Sequence, residues 1–265
     1  MCYTQSRFKA LLSACVLSLI ATAGWSQSLT WLGTLPGGNR SEAFGVSADG
    51  AVVVGRARNA AGLDRAFRWT ASGGMQDLGT LGGDWSEAYG VSADGAVVVG
   101  WANNAAGYPR AFRWTVDGGM QDLGTLGGDW SAAYGVSADG AVVVGWADNA
   151  AGLWRAFRWT ASGGMQELGT LPGYDRSDAN AVSADGAVVV GAAENATGRA
   201  EAFLLDTGFP RRGDVDRNGC VDDADLLAVL SAFGERGYRN EDLNWDGVID
   251  DADLLIVLFN FGSGC

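Results

Sequence analysis

The sequence of 265 residues carries 18% charged residues, 41 Gly and a formal net charge of −13. Such a chain is too apolar for a disordered acidic polymer and too rich in Gly for a helical bundle, so short strands joined by tight turns are the class that fits. With no His and a single Lys, Lys9, it lacks the basic face that duplex binding needs, and the commonest general base, metal ligand and partner of a catalytic Ser or Cys.

The N-terminus, MCYTQSRFKALLSACVLSLIATAGWSQ, has the order of a secretion signal: Arg7 and Lys9, an apolar run over 10–20, then Ala21-Thr22-Ala23 as the small-x-small cleavage pattern. Residues 1–23 are read as the signal, with a later cut near Gln27 as the alternative. A lipoprotein signal at Cys15 would leave an apolar run of only about five residues, short of the ~7–15 that an apolar core needs. No later stretch reaches the ~20 apolar residues that cross a bilayer. Export of the remainder leaves Cys220 and Cys265, an even pair that favours a disulfide.

Residues 28–206 repeat fourfold. GVSADGAVVVG begins at 45, 90 and 135 and AVSADGAVVVG at 181, a period of 45 or 46 residues. Each unit predicts four short strands. AYGVS leads into Asp-Gly, a hairpin signal because both turn positions accept positive φ. AVVVG reads as a strand covered on both faces. AFRWT alternates, with Phe and Trp on one side and Arg on the other, and Gly-Gly turns the chain into MQDLGTL. Four strands in about 45 residues match a β-propeller blade. The chain opens with an isolated SLTWLGTL at 28–35, while the last unit stops after AFLLD. The first strand is therefore expected to complete the last blade and close a ring; the alternative is an open arc with uncovered ends.

Asp49, Asp94, Asp139 and Asp185 each precede Gly and read as turn residues. Trp69, Trp114 and Trp159 read as packing between blades. Trp85, Trp101, Trp130, Trp146 and Trp154 are also expected to be buried there, with stacking on sugar rings as the alternative. Among Glu42, Glu87, Glu167, Asp175 and Glu194, no pair has the unlike surroundings that split acid and base pKa values. The motifs AFRW, GGMQDLGTLGG and GVSADGAVVVG resemble the HAF repeat, a bacterial extracellular repeat family named for His-Ala-Phe; Arg65, Arg110 and Arg155 stand where that His belongs. The resemblance implies export and a propeller-like repeat, and no known reaction.

Residues 207–212, with Pro210 and two Arg, form a linker. The segment 213–265 then holds DVDRNGCVDDADL at 214–226 and DLNWDGVIDDADL at 242–254. Both present oxygens at loop positions 1, 3, 5, 7, 9 and 12 with Gly at 6, the pattern of a Ca²⁺ loop. The ligands are Asp214, Asp216, Asn218, the Cys220 carbonyl, Asp222 and Asp225 in the first loop. In the second they are Asp242, Asn244, Asp246, the Val248 carbonyl, Asp250 and Asp253. No thiolate or imidazole is offered, so Zn²⁺ fits poorly. Val221 and Ile249, at position 8, are expected to pack the paired loops together. A helix is predicted after each loop, from ADLLAVLSAF and ADLLIVLFNF.

A loop followed by a helix, given twice, resembles a type I dockerin. The resemblance implies two Ca²⁺ ions and docking to a cohesin-like or cell-surface partner, in systems that degrade polysaccharide. It places partner recognition at positions 10 and 11, here Asp223-Ala224 and Asp251-Ala252, which depart from the usual Ser-Thr. In such a twofold pair the end of the second helix returns near the first loop. That implies a Cys220–Cys265 disulfide, worth roughly 4 kcal/mol for a loop of about 45 residues. The resulting reading is an exported binding protein without catalysis. The alternatives are a propeller enzyme acting on polysaccharide (a hydrolase or lyase), and a surface repeat protein with a structural role.

Overall fold

The computed structural model describes residues 28–207, 213–216, 220–237, 239–244 and 246–263. The proposed signal 1–23, most of the linker, Asn218 and Cys265 lie outside these. The described part is mainly β, with three four-stranded sheets and one three-stranded sheet, followed by two short helices.

Each sheet is an antiparallel meander that follows the repeat. The first is β1 (Ser41–Val46), β2 (Val52–Arg58), β3 (Asp64–Thr70) and β4 (Gly74–Asp77). The second is β5 (Gly82–Val91), β6 (Val97–Asn104), β7 (Pro109–Thr115) and β8 (Gly119–Asp122). The third is β9 (Gly127–Val136), β10 (Val143–Asn149), β11 (Trp154–Thr160) and β12 (Gly164–Gly169). The fourth has only β13 (Arg176–Val182), β14 (Val188–Glu194) and β15 (Ala200–Asp206).

The Val-rich second strand of each of the first three blades is buried because the sheets stack face to face. Val52, Val54 and Ala66 of the first blade form one apolar cluster with Ala88, Val98, Phe112 and Trp114 of the second. The same pattern recurs from the second blade to the third and from the third to the fourth. Trp114 and Trp159 are buried in these junctions, as their position predicts. Close approach demands Gly in the second strand: a Cβ on Gly100 would lie 2.0 Å from the Glu87 carbonyl oxygen.

The hairpin between the first two strands is present but is not the two-residue Asp-Gly turn. It runs Ser47 to Gly50, closed by the Gly50 N–H donating to the Ser47 carbonyl at 3.0 Å, with Gly50 at φ +74°. Ser47 Oγ donates to Asp49 Oδ1 at 2.6 Å, and Asp49 Oδ1 also accepts the Ala51 N–H at 2.9 Å. These bonds hold the Asp49 carboxyl below the usual range. Asp94, Asp139 and Asp185 repeat both bonds, so all four are turn residues.

Ring closure by the first strand is not observed. Residues 28–40 contain no strand, and β15 has no neighbour on its outer side among the described residues. Leu35 instead packs on Ala57 and Phe67 of its own blade. The Trp reading also needs correction. Trp85 and Trp130 are exposed, while the partly buried Trp101 and Trp146 donate to Tyr89 Oη and Tyr134 Oη at 3.1 and 2.9 Å.

The helices are α1 (Asp223–Ser231) and α2 (Asp251–Asn260). They enclose a small core of Val215, Val221, Val229, Ala232, Ile249 and Val257. No helix among the described residues is long and apolar enough to cross a membrane.

Candidate metal centre

The two loops are built alike, and each is closed by the far end of the other half. The Val221 N–H donates to the Ser263 carbonyl at 3.0 Å, and the Gly262 N–H donates back to the Val221 carbonyl at 2.8 Å. In the mirrored arrangement the Gly234 N–H donates to the Ile249 carbonyl at 2.8 Å and the Ile249 N–H to the Glu235 carbonyl at 3.1 Å. Val221 and Ile249 are fully buried. Position 8 thus joins each loop to the segment beyond the opposite helix, a pseudo-twofold exchange that also brings the end of α2 beside Cys220.

In the first loop Asp214, Asp216 and Asp225 bring carboxylate oxygens within 4.8 Å of one another. Asp214 and Asp225 are buried and Asp216 is exposed, so the cluster opens to solvent on one side. Three carboxylates this close repel unless a cation or N–H groups intervene. Asp225 is met by N–H groups: its Oδ1 accepts Val215 and Asp216 at 2.6 and 3.1 Å, and its Oδ2 accepts Asp222 at 2.9 Å. Asp222 is the N-cap of α1 and takes the Ala224 N–H at 2.8 Å, so Asp222 and Asp225 form a capping box. Position 12 therefore closes the loop and caps the helix as well as facing the cluster.

The second loop repeats the capping bonds, while the convergence of three carboxylates is found in the first loop alone among the described residues. Asp253 accepts Leu243, Asn244 and Asp250 N–H groups at 2.7, 3.0 and 2.9 Å, and Asp250 caps α2 through the Ala252 N–H. Asp242 is fully buried and accepts the Asp246 and Gly247 N–H groups at 3.1 and 2.9 Å. Burial pushes its carboxyl above the usual range, against the pull of those N–H groups. Asn244 Nδ2 donates to Asp246 Oδ2 at 3.0 Å, and Asp246 Oδ1 accepts the Val248 N–H at 2.9 Å. The donor set is all oxygen, which suits a hard cation such as Ca²⁺.

The first turns of both helices expose Asp223-Ala224 and Asp251-Ala252. Next to them lie exposed apolar side chains that the sequence reading missed: Leu227 and Leu230 on α1, and Leu255, Leu258 and Phe259 on α2. Their spacing of three and four residues was the available signal. It was obscured because Val229 and Val257 bury a second apolar stripe on the same helices.

Three of the candidate carboxylates of the repeat array, Glu42, Glu87 and Glu167, are engaged in ion pairs. Arg56 bonds Glu42 at 2.7 Å and Glu87 at 2.6 Å, and Tyr89 Oη donates to Glu87 at 2.7 Å. Glu167 pairs with Arg155 at 3.0 Å. Beside them runs an aromatic row: Phe44, Tyr89 and Tyr134 have centroids 5.6 and 5.4 Å apart. Trp146 stacks on Trp154 at 4.6 Å, and Arg176 lies 5.2 Å over Trp154.

No protein-family model matches this sequence, and no curated protein sequence matches it. Among solved structures, similarity is found to TolB from Acinetobacter baumannii, at 18% identity and a TM-score of 0.46, over 62% of this chain and 40% of that one. A TolB candidate from Agrobacterium tumefaciens matches at 18% identity and a TM-score of 0.49, over 64% and 60%. AofleA from Arthrobotrys oligospora matches at 15% identity and a TM-score of 0.41, over 64% and 55%. The chain thus spans between 40% and 60% of the length of these structures.

Proposed function

We propose that the protein is an exported binding module: its C-terminal loop–helix pair takes Ca²⁺ in both loops and docks, in the manner of a dockerin, to a cohesin-like or other surface-attached partner. The observation that carries this reading is the convergence of Asp214, Asp216 and Asp225 at the mouth of a loop whose twin repeats the same bonds. A hard cation would be held by Asp214, Asp216 and the spare lone pair of Asp225, and by Asp242, Asn244 and Asp246 in the second loop. It would offset the repulsion that N–H groups only partly relieve. Asn218 belongs to the proposed first ligand set, with the Cys220 and Val248 carbonyls, Asp222 and Asp250.

Docking is assigned to the faces that carry Asp223-Ala224 and Asp251-Ala252. The adjoining exposed Leu and Phe side chains supply apolar area, and the acids at the edge supply selectivity. The Cys220–Cys265 disulfide is part of the proposal and is supported by the pairing of Val221 with Gly262 and Ser263. The repeat array presents a recognition surface, with carbohydrate as a candidate ligand because exposed Trp85 and Trp130 offer ring faces for stacking. The test is capture of partners from the producing organism's secreted fraction with Ca²⁺ and with chelator. Retention that depends on Ca²⁺ and is lost on Leu227→Arg with Leu255→Arg supports the reading; equal retention in chelator contradicts it.

A further inference from the structure

The four blades join through three junctions of one design, and the two ends of the array are the two halves of that junction left uncovered. Across each junction the leading blade offers two Val and one Ala. In the first they are Val52, Val54 and Ala66; in the second Val97, Val99 and Ala111; in the third Val142, Val144 and Ala156, and none is more than 4% exposed. The following blade offers Ala88, Ala133 or Ala179, each 0% exposed.

Hydrogen bonds repeat with the same register. Ser86 Oγ accepts the Ala66 N–H at 2.9 Å and donates to the Gly79 carbonyl at 2.6 Å. Ser131 does the same for Ala111 and Gly124, and Ser177 for Ala156 and Gly169. Ala48, Ala93 and Ala138 N–H groups donate in turn to the carbonyls of Ala93, Ala138 and Ala184. The turn glycines Gly95, Gly140 and Gly186 sit so close to Val52, Val97 and Val142 that a Cβ would collide with each Val side chain.

At the leading end of the array these groups are present and, apart from the donation by Ser41, unmet among the described residues. Ala43, the counterpart of Ala88, is exposed, and Val46, the counterpart of Val91, is 59% exposed. Gly50 has nothing within 4 Å of its Cβ position. Ser41 Oγ already donates to the Gly33 carbonyl at 2.7 Å, the bond Ser86 makes to Gly79, but no Ala N–H reaches it among the described residues. Residues 32–35, LGTL, have the sequence of the last turn of a blade, with no strand before them among the described residues. At the trailing end Ala202, the counterpart of Ala66, is exposed, and Val190, the counterpart of Val54, is 38% exposed. This blade lacks its own LGTL turn. The inner strands touch in series, β1 to β5, β5 to β9 and β9 to β13, and no comparable contact returns from β13 to β1.

We propose that a second copy of this chain covers both ends. The leading end of each copy docks on the trailing end of the other, through the same junction that joins the blades within a chain. Ala202 N–H then donates to Ser41 Oγ of the second copy, Gly50 seats on Val188, and the LGTL turn of one copy follows β15 of the other. Two such junctions close two four-blade arrays into a ring of eight blades, within the ~4–8 blades that propellers use. Closure ends growth at the dimer, where an unclosed head-to-tail contact would propagate a fibre.

The test is sedimentation equilibrium of the purified chain, up to roughly 100 µM, above the micromolar Kd expected of a standard-sized interface. The expected result is twice the monomer mass. Ala43→Arg blocks the leading end and Ala202→Arg the trailing end. Both sites are exposed, and circular dichroism should show each variant folded. Each alone should be monomeric at that concentration. An equimolar mixture should regain a heterodimer, because it restores one intact junction. A monomeric parent chain overturns the proposal, and so does a dimer that survives both substitutions, as one held by the helical module would.

Discussion

A carbonyl, a hydroxyl or a carboxylate decides what several positions tolerate. Gly100→Ala puts a Cβ 2.0 Å from the Glu87 carbonyl inside a sheet that cannot part. Its expected cost exceeds about 3 kcal/mol in urea unfolding, at the high end for a single substitution. Gly107→Ala meets open space and pays only for its φ of +86°, on the order of 1 kcal/mol. Ser131→Ala deprives the Ala111 N–H of its acceptor inside a closed junction, for an expected loss of ~1–3 kcal/mol by the same measurement. Asp178 has its carboxyl raised, first by burial and then by Glu194, against Arg176. A raised carboxyl binds its proton more tightly folded than unfolded, so its ionisation costs stability above the folded pKa and nothing below the unfolded one. Asp178→Asn should therefore raise Tm at pH 7 and leave it unchanged near pH 3; an equal rise at both would show that charge is not the cause.

The loops show how one sequence pattern serves two structures. Asp222-x-x-Asp225 and Asp250-x-x-Asp253 have the spacing of Ca²⁺ loop positions 9 and 12, and also of an N-cap with its N3 partner. Read as residues alone, these acids are expected ligands; folded, Asp225 and Asp253 close the loop on three N–H groups each, and Asp222 and Asp250 cap the helix through one each. The two roles separate by substitution. Asp253→Asn weakens the capping box, so it should lower the unfolding temperature of the helical module with or without Ca²⁺. Asp216→Asn removes one charge from the cluster, so it should raise Tm without Ca²⁺ rather than lower it, and reduce the Ca²⁺-induced rise. Equal behaviour of the two variants in chelator would contradict this division. The hairpins were legible for a similar reason and in similar part: Asp-Gly marks the turn, but the hydroxyl of Ser47 two residues earlier widens it to four residues.

Across the molecule, the fourfold period was legible because each unit repeats the same strand and turn chemistry, and strands of one blade pair with their sequence neighbours. The closure of the array was not, because LGTL at 32–35 fits equally the end of the last blade and the start of the first, and the angle between blades is carried by no single residue. Leu35 seats on Phe67 of its own blade, and β15 is an open edge among the described residues. The two loops were legible from the spacing of their acids, and the return of the second helix to the first loop from the resemblance to a dockerin, while the individual bonds that close each loop required the folded chain. The central claim, that this acidic tail is a calcium-dependent docking device, is tested most directly by calorimetric titration of Ca²⁺ into the full chain beside its Asp214→Asn, Asp242→Asn double variant. The prediction is saturable binding of one ion per loop in the parent, lost in the double variant. Absence of binding at roughly millimolar Ca²⁺, the weak limit for extracellular modules, or unchanged binding in the variant, would contradict it.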